Sequence, residues 1–363
     1  MTQLDEKDLK IIQALDEHGP KVSTQTLSNI LDIPSRTIRY RILKLKEKGF
    51  IKNIRAITHE RKLGLGENLV LFGINQKMEQ KLLEVFELIP YIYYYRSTYG
   101  KYNGYLVRIV FSLPKPDNTY ELLDSLKKIG IISDYFVFEI IDYKLKDKDL
   151  KFYNPDSGWI WDWDKWYNNI ENCMNKKTDF KFEIEEEVRV VDFDYKDLIL
   201  LNRMYEDASI TLKQLSDILS LSESQIGNRI QKLEEKEIIK GYFTEYSLSK
   251  SEKFVYFYCF FEIAENFNNI LSCFYQLPFG FIILIESSHK FCISLKLEAN
   301  DFQMFLKGFD LIRSHLNSYF FQFTYTPATR ITEPLLVLFN KLTNSWETPL
   351  KEYLSIIEKR AGK

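Results

Sequence analysis

The densest run of side chains able to do chemistry lies between Pro34 and Arg55. It holds eight cations, Arg36, Arg39, Arg41, Lys44, Lys46, Lys48, Lys52 and Arg55, against the single acid Glu47, a net charge of +7 in a chain whose formal net charge is only -2. At 100° per residue Ile38, Ile42 and Leu45 fall on one side of a helix, so Arg36, Arg39, Tyr40 and Lys44 spread over the opposite and flanking faces. Guanidinium and ammonium groups on such a face make charge-assisted bonds to phosphate oxygens, and an arginine fork also fits a guanine edge. The pattern points to nucleic acid.

Other chemistries find little support. Histidine occurs only at His18, His59, His289 and His315, none at zinc spacing, and each reads as a surface or loop residue. Gly64-Leu65-Gly66 lacks the third glycine of a dinucleotide loop and precedes a strand where that loop should follow one. Neither a P-loop nor a G-x-S-x-G turn is present. Cys173, Cys259, Cys273 and Cys292 show no C-x-x-C spacing and are expected as reduced thiols, mostly small core residues. No catalytic residue, metal site or cofactor is expected.

The basic helix must be positioned, and an internal repeat shows by what. Leu4 to Leu9 matches Phe193 to Leu198; after a loop one residue shorter, Leu27, Ile30, Ile38, Arg41, Ile42, Lys44, Leu45 and Ile51 fall on Leu215, Ile218, Ile226, Arg229, Ile230, Lys232, Leu233 and Ile239. Each copy reads as three helices. In the first, Leu9, Ile12 and Leu15 form a stripe ending at Gly19-Pro20; Ser23 caps a short helix; Pro34 starts the third, which Gly49 stops. The β-branched run Phe50 to Thr58 suits a short hairpin, making a helix-turn-helix with a wing. The window Ser222 to Phe243 balances Arg229, Lys232, Lys236 and Lys240 against Glu223, Glu234, Glu235 and Glu237. Its exposed wheel positions, Ser224, Asn228 and Gln231, are uncharged groups able to read base edges, with Gly227 in the place of Arg39. A scaffold or protein contact is the other reading of this second head.

Each head is followed by the same element order, βαββαβ, the order of a ferredoxin-like fold. Between the copies, Trp159, Trp161, Trp163 and Trp166 read as rings that clamp a linker onto the sheets. A tail from Pro334 to Arg360 carries Leu335, Leu338, Leu342, Leu350, Leu354 and Ile357, expected as helices that pack back or meet a partner. The 363 residues, 45% hydrophobic with 14 glycines and 10 prolines, describe a globular chain of two or three domains. A polar N-terminus and the lack of an 18-residue apolar run point to a cytoplasmic protein with no membrane partner.

Leu4-Asp5 with Asp8-Leu9-Lys10-Ile11-Ile12, the helix Thr37 to Ile42 with Leu45, Gly49 and Ile51-Lys52, and Lys62-Leu63-Gly64 resemble the Lrp/AsnC family of bacterial and archaeal transcription regulators, here in tandem. The resemblance implies an α+β chain: winged helix-turn-helix 1–62, ferredoxin-like domain of the RAM type 66–145, Trp-rich linker 150–188, winged helix-turn-helix 190–248, ferredoxin-like domain 252–327 and helical tail 330–363. It implies a sequence-specific DNA-binding regulator in which one chain stands for the family's pair, sheet packed on sheet. The DNA-contacting set is Arg36, Arg39, Tyr40, Arg41, Lys44, Lys52 and Arg55 in the first head, with Ser224, Asn228, Arg229, Gln231, Lys232 and Lys240 in the second. Arg41/Arg229 and Lys44/Lys232 are expected on phosphate. Double-stranded DNA is the expected partner; a small-molecule effector such as an amino acid, near Gly100, Asn103 and Gly104, and a homodimer are further ones. The second copy has Ser287-Ser288-His289-Lys290 at that turn, without glycine. Two alternatives stay open: a tetrapyrrole decarboxylase of the sirohaem type, which shares this fold and would use the run His59, Arg61, Lys62, and an architectural chromatin protein that binds duplex without sequence preference.

Overall fold

A computed structural model describes residues 4–19, 22–115, 117–175, 178–248, 254–325, 329–330, 334–348 and 350–360. Pro20, the expected domain limits at 252 and 327, and the last three residues of the tail lie outside the described residues. In chain order the elements are α1 (Glu6–His18), α2 (Thr24–Leu31), α3 (Ser35–Glu47), β1 (Ile51–Thr58), β2 (Leu65–Ile74), α4 (Glu79–Leu88), β3 (Ile92–Gly100), β4 (Gly104–Ser112), α5 (Thr119–Lys128), β5 (Ile132–Ile140), β6 (Asp142–Lys146), β7 (Tyr153–Asn154), β8 (Gly158–Trp159) and α6 (Trp163–Asn175). The second copy follows with α7 (Tyr195–Asp207), α8 (Leu212–Leu219), α9 (Glu223–Glu235), β9 (Ile239–Tyr246), β10 (Phe254–Glu262), α10 (Phe267–Tyr275), β11 (Phe281–Ser287), β12 (Lys290–Glu298), α11 (Ala299–Ile312), β13 (Ser318–Thr324) and β14 (Thr329–Arg330). The tail adds α12 (Pro334–Val337), β15 (Phe339–Asn340), β16 (Ser345–Trp346) and α13 (Leu350–Arg360).

These elements sort into two compact units, each drawing on both copies. The head unit is Met1–Leu63, Asp149–Trp161 and Val191–Glu252; the sheet unit is Gly64–Lys148, Asp162–Val190 and Lys253–Lys363. The expected linker 150–188 is therefore divided, its first residues belonging with the heads.

In the head unit the two copies match element for element: 13, 8, 13 and 8 residues for α1, α2, α3 and β1, and the same for α7, α8, α9 and β9. Asp5 and Asp194 start their first helices with reciprocal capping boxes, closed by Asp8 and Asp197. Asp32 and Ser220, at φ 53° and 51°, end α2 and α8 in the left-handed conformation that turns the chain into the third helix. Ile11, Ile12, Leu27, Ile38 and Leu45 close the first core, joined by Leu150, Tyr153 and Tyr246, with Trp159 packed against it.

The expected hairpin wing is not what forms. Each copy contributes one strand, and β1 pairs antiparallel with β9 from Ile51↔Tyr246 to Thr58↔Ile239. A lone eight-residue strand leaves its ladder unpaired, and its twin supplies the missing partners. Further backbone bonds cross between copies: Ser247 N to Phe50 O at 2.8 Å, His59 N to Ile238 O at 2.8 Å and Ala208 N to Ile54 O at 2.6 Å. The two heads thus share a wing.

The sheet unit contains both ferredoxin-like domains. Strand order β5-β2-β4-β3 continues as β13-β10-β12-β11-β6, the copies being joined where Thr98–Gly100 of β3 meets Gln322–Thr324 of β13. At the other edge β5 runs on into β6, which pairs with β11, so the sheet closes on itself. Between the copies lie Leu69, Leu71, Leu106, Phe138 and Ile140 from the first and Phe260, Leu284 and Cys292 from the second, which is the expected packing of sheet on sheet within one chain. The helices cover the other faces, Phe86 against Phe72 in the first copy and Phe305 against Phe257 in the second.

Trp163 and Trp166 do clamp α6 onto the second domain. Trp166 is fully buried, donates Nε1 to Cys273 O at 2.8 Å and stacks on Phe305. Gly308 permits this: a Cβ there would stand 2.1 Å from the Trp166 ring. The tail packs back as expected, with Leu335, Leu338, Leu350 and Ile357 buried, but a short β15–β16 hairpin interrupts its helices and leaves Leu342 exposed.

Candidate nucleic-acid interface

Helix α3 is held by Ile38 and Leu45, which are buried, and presents Arg36, Arg39, Tyr40, Leu43, Lys44, Glu47 and Lys48 to solvent. Spacings of three and four put these on one stripe. Lys44 Nζ lies 4.7 Å from the centre of the Tyr40 ring, a cation–π contact that holds the ammonium on the outer face. Tyr40 and Leu43 are each 55% exposed. Leu43 was not singled out from the sequence, where an apolar residue beside Ile42 reads as core; its outward position was legible on the same wheel that placed Arg39 and Tyr40.

The start of α3 is also open. Pro34 stands at its N-cap with no side-chain cap and no acid follows in the first turn, so the positive end of the helix dipole lies beside Arg36. In α9 the corresponding end is closed by the Ser222/Gln225 capping box and carries Glu223. Both the window charges and the helix ends therefore favour phosphate at the first head.

The second head exposes Ser224, Asn228, Gln231 and Lys232, with Ile226, Ile230 and Leu233 buried behind them. Gln231 donates Nε2 to Glu235 Oε1 at 2.8 Å, while Asn228 faces solvent. Gly227 has open space where a Cβ would be, so nothing in the fold requires glycine at the position of Arg39.

Several expected phosphate contacts are engaged elsewhere. Arg41 donates to Asp5 Oδ2 and Asp8 Oδ1, both at 2.7 Å, and Arg229 repeats this with Asp194 at 2.8 Å and Asp197 at 2.6 Å. Their persistence in both copies reflects docking of the third helix on the first, a correction to the expectation of phosphate. Burial raises the Asp5 carboxyl, but the Asp8 N–H and Arg41 outweigh it and hold the group below the ordinary carboxylate range; Asp194 is lowered in the same way by Arg229 and the Asp197 N–H. Arg55 pairs with Glu245 at 3.2 Å and lies over the Tyr205 ring, and Lys52 reaches the same carboxylate at 4.0 Å. Lys240 is half-buried on β9. Arg55 is thus held against the strands of the shared wing, while Lys52 stays exposed.

The turn Gly100 to Gly104 serves the join between copies. Gly100 N donates to Asn103 Oδ1 at 3.2 Å, and Tyr102 N donates to Gln322 Oε1 at 3.1 Å. A Cβ on Gly104 would stand 2.4 Å from Phe72 O, and one on Gly100 2.7 Å from Phe321 O. Close backbone approach accounts for both glycines. His59 is buried, against the expectation of a surface residue, and Lys62 beside it is buried with Nζ 2.5 Å from Glu237 Oε2.

The architecture and exposed basic helix define a winged helix-turn-helix protein, and the winged helix-turn-helix DNA-binding family profile matches twice, at residues 4–52 and 193–240. The chain is 31% identical over 110 residues to the HTH-type transcriptional regulator Ptr1 of Methanocaldococcus jannaschii, covering 30% of this chain and 72% of that one. It is 32% identical over 132 residues to the HTH-type transcriptional regulator FL11 of Pyrococcus furiosus, covering 36% and 82%. The chain belongs to the Lrp/AsnC family of HTH-type transcriptional regulators, in tandem duplication. Among solved structures the siroheme decarboxylase NirDL matches with a TM-score of 0.52 at 13% identity, over 98% of this chain and 100% of that one, a likeness of fold. Among the described residues no helix is long and apolar enough to cross a membrane.

Proposed function

We propose that this chain is a sequence-specific DNA-binding transcription regulator in which one polypeptide supplies two unequal reading heads. The observation that carries the reading is the pairing of β1 with β9, which ties two heads of identical element lengths into one unit while their outward helix faces differ. Arg36, Arg39, Tyr40, Leu43 and Lys44 stand against Ser224, Gly227, Asn228, Gln231 and Lys232. The first set favours phosphate, guanine edges and thymine methyls; the second favours adenine through Asn228, with Lys232 on phosphate. The first head dominates affinity and the second adds discrimination.

The decarboxylase reading rests on a likeness of fold. The run assigned to it has His59 and Lys62 buried, the latter paired with Glu237, which leaves no open histidine and lysine there to meet an anionic macrocycle. The chain is accordingly read as a regulator with no catalytic residue. Titration of a labelled duplex by fluorescence anisotropy at rising salt tests the reading: binding that weakens steeply with salt and is largely abolished in the Arg36→Ala, Arg39→Ala, Lys44→Ala triple variant supports it. Affinity unchanged in that variant at moderate salt would remove α3 from the interface, and Soret absorbance changes on mixing with a porphyrin, without duplex binding, would favour the enzyme.

A further inference from the structure

The inside of the closed sheet is apolar only in part. Beside Leu69, Leu106 and Phe260, the same inward faces carry Glu67 on β2, Tyr94 and Arg96 on β3, Arg108 on β4, Tyr256 and Tyr258 on β10 and Thr324 on β13, as the strand registers require. Arg108 Nε lies 2.7 Å from Glu67 Oε1, and the Tyr93 hydroxyl donates to the same oxygen. Tyr94 and Tyr258, one from each copy, face the same interior, and burial leads the rise of the Tyr94 phenol above its ordinary range.

This lining keeps accessible surface: Arg108 leaves 27% of its side chain accessible and Tyr94, Arg96, Tyr256 and Tyr258 are half-buried. Accessible surface on the sides that face the other copy marks open space between them. The charge there is unbalanced. Glu67 neutralises Arg108, but Arg96, its diagonal neighbour on β3, makes no ion pair among the described residues. Arg96 donates Nη1 to Thr324 Oγ1 at 3.1 Å and lies 5.8 Å from the Tyr94 ring centre, while its Nε is buried without a hydrogen-bond partner. An enclosed guanidinium with an unused donor is costly unless an anion meets it.

We propose that this space binds a small organic carboxylate with a flat unsaturated body, its carboxylate on Arg96 and its ring against Tyr94 and Tyr258. The planar guanidinium fork matches a carboxylate, and the two phenol rings supply apolar, flat walls with polar tips. The site lies inside the closed sheet; it does not depend on the DNA-binding reading.

Calorimetric titration and thermal melting of the full chain with benzoate and phenylacetate test it, with benzyl alcohol as the uncharged control and inorganic phosphate as a bodiless anion. The carboxylates should bind and raise the melting temperature, and the two controls should not. Arg96→Met should weaken binding at least about tenfold while melting no lower than the parent without ligand, because it removes an enclosed charge that has no counterion. Arg96→Lys keeps the charge without the fork and should show the same loss of binding, which serves if the methionine variant fails to fold. Tyr258→Leu, from the other copy, should also weaken binding. The proposal is overturned by absence of binding of both carboxylates, by undiminished binding in the Arg96 variants, or by phosphate binding as well as benzoate.

Discussion

Arg41 and Asp8 stand 2.7 Å apart, joining the third helix of the first head to its first, and Arg229 and Asp197 repeat the contact in the second at 2.6 Å. Each arginine also holds the aspartate that caps the first helix, Asp5 or Asp194. The cap, the helix dock and the ion pair are one cluster.

Truncating Arg41 should therefore act first on stability. Arg41→Ala is expected to cost the head unit roughly 1–2 kcal/mol in urea unfolding, since the pair is half-buried and shared with a helix cap. Arg39→Ala, on the open face, should change stability by less than about 0.5 kcal/mol. Equal losses from the two would show that Arg41 is not docking the helix.

The same cluster sets an acid dependence. Asp5 and Asp194 are held below the ordinary carboxylate range, so their contribution is present above the unfolded value of about 4 and is lost as pH falls through the lower folded value. The urea midpoint of the head unit should drop as pH falls below about 4, and less so in Asp5→Asn with Asp194→Asn. Identical pH profiles for parent and double variant would contradict this assignment.

Salt offers a count of the phosphates that the protein neutralises. Removing Arg36, Arg39 and Lys44 together should lower the slope of log affinity against log salt by between about 2 and 3, at roughly 0.9 for each phosphate left without its cation. The equivalent change at Lys232 alone should lower it by about 1 at most. A slope unaltered in the triple variant would show that these three cations do not face the DNA backbone.

Trp166 and Gly308 test the clamp. Gly308→Ala puts a Cβ where the Trp166 ring lies, and the sheet unit is expected to lose about 1–3 kcal/mol through overpacking. Trp166→Phe combined with Gly308→Ala should recover part of that loss; additive damage in the pair would mean that the two residues do not share this space.

Much of this was legible because the repeat sustains one register over both heads, and apolar spacing of three and four fixes a helix whatever surrounds it. The wing was not: a β-branched run from Phe50 to Thr58 specifies a strand, but not that its partner begins at Ile239 on the other copy. The docking role of Arg41 is not visible in the helix taken alone, where a cation on a basic face looks like a phosphate ligand. The signal that could have revealed it lay in the repeat, where Asp5 and Asp8 return as Asp194 and Asp197 together with the arginine. The inward Arg96 and Arg108 escaped notice because alternation along β3 and β4 places them toward a face that exists only once both copies close the sheet.

The central claim, that one chain reads DNA with two different heads, is tested most directly by selecting binding sites from random duplexes with the full chain. The account predicts a two-part site with unlike halves. A guanine preference in one half should disappear in Arg39→Ala and an adenine preference in the other should disappear in Asn228→Ala, each change costing about 1–3 kcal/mol of discrimination. A symmetric palindrome as the preferred site, or recovery of duplexes with no shared sequence, would contradict it.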